Sequence, residues 1–415
     1  MSSILTNNSA MVALQTLKSI NMNLGKVQSE ISTGKTIDSA KDNAATWAIS
    51  KVMSSDVAGF EAISDSLALG QSTVGVALNA AESITDLLTE IKGKVVNSQE
   101  ENVDRAKIQT DIEALTAQIG SISGAAQFNG LNLLSNDSYD AGTGTSSILS
   151  SLDRNATGVV SSNIDVAKQD LSTTAGVFSA AGTGTAAAAG TAFTGADGAT
   201  GAVMTVGANL VAGDMFNIES INGVAIAAAD QIAVSVVDGD TQASIQAKMV
   251  TALQFAADRM ELDFTFEANA TTAGQIDATN NSGAAAAFAA AGVNGLTGAT
   301  DDGNTTIGGN LALLNSFDVT TEAGADAALG AIEGLIQSSI DSAASLGSNG
   351  RRIETQADFV SKMTDGLTSG IGALVDADME AASAKLQALQ TQQQLGVQAL
   401  SIANQAPQTI LSLFR

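Results

Sequence analysis

The chain has 415 residues, enough for two or three domains that each bury a core. It contains no cysteine and no histidine, which excludes disulfides, thiol nucleophiles, thiolate metal sites and every Ser-His-Asp arrangement. A formal net charge of −25 argues against nucleic acid and anionic lipid surfaces as partners, and only 3% aromatic residues leave an interior built from Ala, Leu, Ile and Val.

From the N-terminus, Ala10, Ala13, Leu17, Ile20, Leu24, Val27 and Ile31 recur at alternating spacings of three and four. That predicts a helix with one apolar seam, interrupted at Gly34. Phe60, Ile63, Leu67, Val74, Ala77, Ala81, Ile84, Leu88, Ile91 and Val95 hold one phase, with Gly70 among them, and predict a second, longer helix. Ile108, Ile112, Leu115, Ile119 and Ile122 predict a third after the polar stretch 97–102.

Residues 143–310 change character and are rich in Ala, Gly, Thr, Ser and Asp. Ala181–Gly201 and Gly283–Gly298 read as loops or linkers. Ala202–Val206, Met215–Ile221, Ala233–Val237 and Leu262–Ala268 read as strands, Asn222-Gly223 as a type I′ hairpin turn, and Ala243–Arg259 as an amphipathic helix. In the last third, Ile353, Ala357, Val360, Leu367, Ile371 and Leu374 form one stripe. Met379, Ala382, Leu386, Leu389, Gln393, Gly396, Leu400 and Ala403 form another. Pro407, the only proline, should end or kink that last helix. The pattern is a mainly α chain, with an α+β domain inserted between two helical halves.

Charge follows the same division. Residues 1–40 carry three basic and two acidic side chains, and residues 376–415 two basic and three acidic. Residues 143–317 hold sixteen acidic groups against four basic ones. Near-neutral ends can crowd together, whereas the acidic middle favours water. The opening residues have neither the basic n-region nor the apolar h-region of a Sec signal, and no run nears the ~18 apolar residues of a membrane span. The expectation is a cytoplasmic protein or one exported by another route.

A helix with a single apolar stripe needs a partner face, and each end supplies one. Both stripes are weak. Small residues (Ala10, Ala13, Ala382, Ala403) and polar or absent side chains (Gln393, Gly396) occupy seam positions, beside a cluster of glutamines from Gln387 to Gln398. Such a pair should order only when packed against copies of itself.

Three stretches resemble one family. Ser32-Thr33-Gly34-Lys35-Thr36-Ile37-Asp38-Ser39-Ala40-Lys41-Asp42-Asn43-Ala44-Ala45 is similar to the flagellin signature S-G-x-x-I-N-S-A-K-D-D-A-A. Gln127-Phe128-Asn129-Gly130 resembles the family's Q-F-N-G segment, which ends the second long helix and opens a β-hairpin. Ala403-Asn404-Gln405-Ala406-Pro407-Gln408 through Leu411-Ser412-Leu413-Phe414-Arg415 resembles the flagellin ending A-N-Q-x-P-Q-x-x-L-S-L-L-R. Departures are small: Asn43 for an aspartate, Thr46 for a glycine followed by Trp47, and Phe414 for a leucine.

The resemblance to bacterial flagellins implies a long coiled-coil-like helical rod formed by both chain ends, with an inserted α+β outer domain. Residues 1–40 and 376–415 would be an inner helical pair, packed in the filament core through Leu17, Ile20, Leu24, Val27, Ile31, Leu386, Leu389, Leu400, Leu411 and Leu413. Residues 41–168 and 318–375 would form the rod domain, and 169–317 a surface-exposed insert. Gly34, Ile37, Ala40, Lys41 and Asp42 would connect the inner pair to the rod; read without the family, they are a solvated turn with a helix N-cap.

The resemblance also implies a non-enzymatic subunit without cofactors that polymerises with itself outside the cell. Export would run through a flagellar type III channel without a cleaved Sec signal, with an export chaperone, a cap protein and hook-associated proteins as partners. The alternative within the superfamily is a hook–filament junction protein. In enteric flagellins an innate-immune receptor docks on an arginine and a leucine of the first rod helix. Alignment through Val96-Asn97-Ser98 puts Glu90 and Lys94 there, which implies weak recognition. Trp47 reads as a buried anchor, and Asp376, Asp378 and Glu380 as a solvated acidic turn rather than a cation site.

Overall fold

The computed structural model describes residues 7–136, 138, 142–155, 158–176, 193–208, 210, 212–218, 220–222, 224–225, 232–288, 290–291, 294–296 and 307–413. Among these run the helices α1 (Asn8–Thr33), α2 (Ala44–Ser98), α3 (Arg105–Ala125), α4 (Gln242–Arg259), α5 (Glu322–Val375) and α6 (Met379–Leu413). The strands lie between α3 and α5. They are β1 (Gln127–Phe128), β2 (Leu131–Asn132), β3 (Thr145–Asn155), β4 (Gly158–Ala167), β5 (Phe193–Gly195), β6 (Thr200–Thr205), β7 (Met215–Ile218) and β8 (Ser220–Ile221). After them come β9 (Val224–Ala225), β10 (Ile232–Ser235), β11 (Phe264–Ala268), β12 (Gln275–Asn280), β13 (Ala286–Phe288), β14 (Ala290–Ala291) and β15 (Asn294–Leu296). The chain is thus mainly α at both ends, with a strand-rich middle.

One compact unit comprises Met1–Ser64 and Asp358–Arg415. α1 starts where the Asn7 side chain accepts the Ala10 N–H, and stops where Gly34 turns left-handed at φ 70° and returns its N–H to Glu30. A residue with a Cβ would resist that turn. α6 starts at Asp378, whose Oδ1 accepts the N–H groups of Glu380 and Ala381. The two helices run antiparallel, with Val27, Ala382 and Leu389 buried between them and Ile20, Leu24, Ile31 and Leu386 packed around.

Three expectations change here. Of the two outcomes expected at Pro407, ending or kinking the helix, ending does not occur, since α6 continues to Leu413; proline's fixed φ is compatible with a helix, and what is lost is one N–H, with crowding of one carbonyl. Leu374 is exposed and Val375 is buried in its place, because α5 ends at Val375, where its carbonyl accepts the Thr36 N–H. Met379, the first residue of α6, is also exposed.

The second unit is Asp65–Ala357. From Leu67 through Val74, Ala77, Ala81, Ile84, Leu88 and Ile91 to Val95, the α2 stripe is buried throughout. Burial of each large side chain in this seam contributes roughly 1.5–3 kcal/mol. α3 begins at its N-cap Asp104 and buries Ile112, Thr116, Ile119 and Ser123. In the first half of α5, Ala325, Ala328, Ile332, Leu335, Ser339, Ser342 and Leu346 are buried, and Ser339 shares a hydrogen bond with Thr85 of α2 at 2.8 Å. β3 and β4 pair antiparallel with a bulge between Leu149 and Ser151.

The same unit holds the strand-rich middle. β11, β12 and β6 form one antiparallel sheet and β10, β7 and β15 another. α4 lies against β10, β11 and β12 and buries Ile245, Met249, Leu253 and Phe255. Phe288 is fully buried against Phe264 and Phe266, with ring centroids 5.4 and 4.8 Å away. Phe255 stacks on Phe317 at 5.6 Å. Segments read as strands around Ala202, Met215, Ala233 and Leu262 fall on β6, β7–β8, β10 and β11. β8 and β9 form the expected hairpin, with Asn222 at φ 53°; Gly223 lies outside the described residues. Most of Ala181–Gly201 lies outside them too, while within Gly283–Gly298, read as loop, β13, β14 and β15 pair with β5, β8 and β7.

Candidate functional site

The paired ends α1 and α6 are short of charge: Lys18, Lys26 and Glu30 on one, Glu380 and Lys385 on the other. Their seam places Leu17 and Ile20 over Gly396, where a Cβ would stand 3.3 Å from Leu17 Cδ1. Gln393 Nε2 donates to Asn21 Oδ1 at 2.7 Å. Leu400 is half-buried. Leu411 and Leu413 belong to the α6 backbone, but their side chains lie outside the described residues.

The faces turned away from this seam are apolar as well. Met11, Val12, Leu14 and Met22 of α1 and Leu395, Val397 and Ile402 of α6 are exposed, Val12 at 63% and Ile402 at 70%. A helix that is apolar on more than one face is normally covered on all of them. The seam periodicity gave no reason to single these residues out. The signal was their presence at positions that a solvated face would give to Lys or Glu.

The connector residues come together with the α5–α6 junction through main-chain bonds. Gly34 O accepts the Ala377 N–H at 2.9 Å, Val375 O accepts Thr36 N–H at 2.7 Å, and Lys35 bridges Asp376. Asp42 Oδ2 accepts both the N–H and the hydroxyl of Ser39 at 3.0 Å. Those bonds, the backbone one foremost, hold its carboxyl below the ordinary carboxylate value. Asn43 then caps α2 by accepting from Ala45 and Thr46. Ile37 is half-buried, while Ala40, Lys41 and Asp42 are exposed. Trp47 is half-buried rather than enclosed, with Lys51 Nζ 5.9 Å from its ring centroid.

Gln127–Asn132 closes as a hairpin in which Phe128 pairs with Leu131. Asn129 at φ 51° and Gly130 at φ 82° make the turn, which suits Asn-Gly because both positions need positive φ. The hairpin ends α3, the third helix of the chain. Glu90 is exposed on α2, and Lys94, one turn on, is held by Asp111 at 2.6 Å. That hydrogen bond first, and the charges of Asp111 and Glu90 after it, raise the Lys94 ammonium above its ordinary value. Among the described residues no group of three or more acidic side chains could hold a metal ion, and no helix is long and apolar enough to cross a membrane.

The class these features define is a mainly helical protein whose two terminal segments pair as helices and whose middle segment is rich in strands. A family model described as the bacterial flagellin N-terminal helical region matches residues 4–139, and one described as the C-terminal helical region matches residues 329–414. Flagellin B of Rhizobium meliloti is 36% identical over 426 residues and Flagellin A of the same species 36% identical over 420 residues, each covering 100% of both chains. A flagellin of Caulobacter vibrioides is 30% identical over 418 residues, covering 100% of this chain and 99% of its own. The chain belongs to the bacterial flagellin family. It is a structural subunit of the flagellar filament, and so extracellular.

Proposed function

We propose that the α1–α6 pair is the element through which the subunit polymerises, and that the connector around Gly34–Asp42 joins it to a rod domain of residues 41–168 and 318–375. The single observation that carries this reading is the pair's second apolar surface, from Met11, Val12 and Leu14 to Leu395, Val397 and Ile402. Neighbouring copies of the pair, similarly poor in charge, fit that surface best. Residues 169–317, with their acidic excess, then face water.

The experiment tests the outward face and the seam in separate variants. Val12→Asp and Leu395→Asp should abolish sedimentable filaments while the circular dichroism of Asp65–Ala357 stays unchanged. Leu24→Glu and Leu386→Glu, in the seam, should do the same. Normal polymerisation of both outward variants would reject the reading.

The remainder of the reading follows the family. The subunit performs no catalysis and needs no cofactor. It leaves the cell through a flagellar type III channel rather than by a cleaved Sec signal, and meets an export chaperone, a cap protein and hook-associated proteins. Glu90 and Lys94 on α2 would oppose an innate-immune receptor built for an arginine and a leucine. An enteric-like response to the purified monomer in a receptor reporter assay would refute that last point.

A further inference from the structure

An α-helix that runs through a proline leaves one carbonyl without its partner, four residues earlier. In α6 that proline is Pro407 and the carbonyl belongs to Ala403. The side chain of Asn7 stands in: its Nδ2 donates to Ala403 O at 2.9 Å. The same amide is already engaged on its own helix, where Oδ1 accepts the Ala10 N–H at 3.1 Å and caps α1. The amide's orientation follows from both partners at once. Rotating it by 180° would set an NH₂ against an N–H on one side and an oxygen against a carbonyl on the other.

We propose that Asn7 is a positioning residue that replaces the hydrogen-bond donor missing at Pro407 and thereby fixes the register of α1 against α6 at this end of the pair. A register device is needed because the seam near this end is weakly specified. Ala10, Ala13, Gly396 and Ala403 offer small, similar surfaces, so a slip by one turn exchanges one small contact for another. At the other end of the pair the main-chain bonds of Gly34, Thr36, Val375 and Ala377 hold the alignment, and Asn21–Gln393 holds it midway. The clasp turns the defect proline creates into an address: among the described carbonyls of α6, only that of Ala403 lost its helical donor to a proline. Copies of the pair can stack regularly only if each has the same register, so the consequence falls on assembly.

The inference rests on the polymerising role proposed for α1–α6, and the outward-face variants test that role without touching Asn7. The discriminating variant is Asn7→Asp, which keeps the capping oxygen but cannot donate to Ala403 at neutral pH. Pro407→Ala restores the N–H and makes the clasp dispensable. The readout is the critical concentration for seeded polymerisation of the full chain.

Asn7→Asp should raise it about tenfold beside Pro407, the lower range for a half-buried carbonyl left unpaired, and less than about twofold in the Pro407→Ala background. If Asn7→Asp alone does not polymerise, polymerisation of the double variant supports the clasp and its failure overturns it. Equal fold-changes in the two backgrounds, no change beside Pro407, or loss of polymerisation in Pro407→Ala alone would each overturn it.

Discussion

Asp258, on the last turn of α4, accepts from Gln254 Nε2 at 2.7 Å, and the space left by Gly330 accommodates it against α5. Burial first, and then the charges of Asp326 and Asp263, raise its carboxyl above the ordinary 3.8; the Gln254 bond pulls the other way and is outweighed. The folded chain therefore holds this proton more tightly than the unfolded chain. Its contribution to stability is complete below 3.8 and is lost as pH rises through the raised value. Asp258→Asn keeps the acceptor for Gln254 and removes the charge. It should raise the melting temperature at pH 7 by about 1–3 °C and leave it unchanged at pH 3.5, compared with the parent in thermal melts. Asp42 has the opposite sign: its lowered carboxyl favours the folded connector above 3.8 and ceases to do so as pH falls through the lowered value. At Gly34 the constraint is conformational, since nothing stands within 4 Å of a Cβ there but φ is 70°. Gly34→Ala should cost about 1–2 kcal/mol in the α1 end-turn, measured by chemical denaturation of the polymerised chain.

The meeting of α2 with the β3–β4 hairpin turns on one missing side chain. A Cβ on Gly70 would lie 2.6 Å from Ile148 Cδ1, so the hairpin seats on α2 where the helix offers bare backbone. Gly70→Ala should destabilise this contact by about 1–3 kcal/mol through overpacking, and hydrogen exchange should show faster exchange in β3 and β4 than in α3. Of these elements α2 was legible from Phe60 to Val95, because each large aliphatic in its stripe recurs in phase over many turns; its first turns, from Ala44, extend the helix beyond that stripe. The first half of α5 was not. Its buried face, Ala325, Ala328, Ile332, Leu335, Ser339, Ser342 and Leu346, keeps the helical spacing, but four of these seven are Ala or Ser, residues as common on surfaces as in cores, so the stripe is faint in the sequence. β3 escaped because its bulge at Leu149–Ser151 breaks the alternation. The seam residues Leu24, Val27, Leu386 and Leu389 were legible as a stripe; the outward apolar face and Asn7 were not, since neither has a period and one depends on a partner 396 positions away.

For the molecule as a whole, charge and assembly are separable. Deleting residues 175–310 removes thirteen acidic and two basic side chains, so that the formal net charge of −25 becomes −14. The shortened chain should still form filaments, visible by negative-stain microscopy, and its polymerisation should depend less steeply on added salt, because neighbouring copies repel less. It should also melt lower, since Phe317 loses its stacking partner Phe255. The two chain segments that bound this region meet as they enter and leave. Gly309 N–H binds Thr174 O at 2.9 Å, and a Cβ on Gly308 would stand 2.6 Å from the Gly176 nitrogen. The doorway is closed largely by main chain, aided by Asn315 Nδ2 donating to Thr173 O at 2.5 Å, while Gly308 N–H also binds Ser235 Oγ within the region at 2.7 Å. A foreign module with adjacent termini could be spliced between Gly176 and Gly308 and displayed many times over on one fibre.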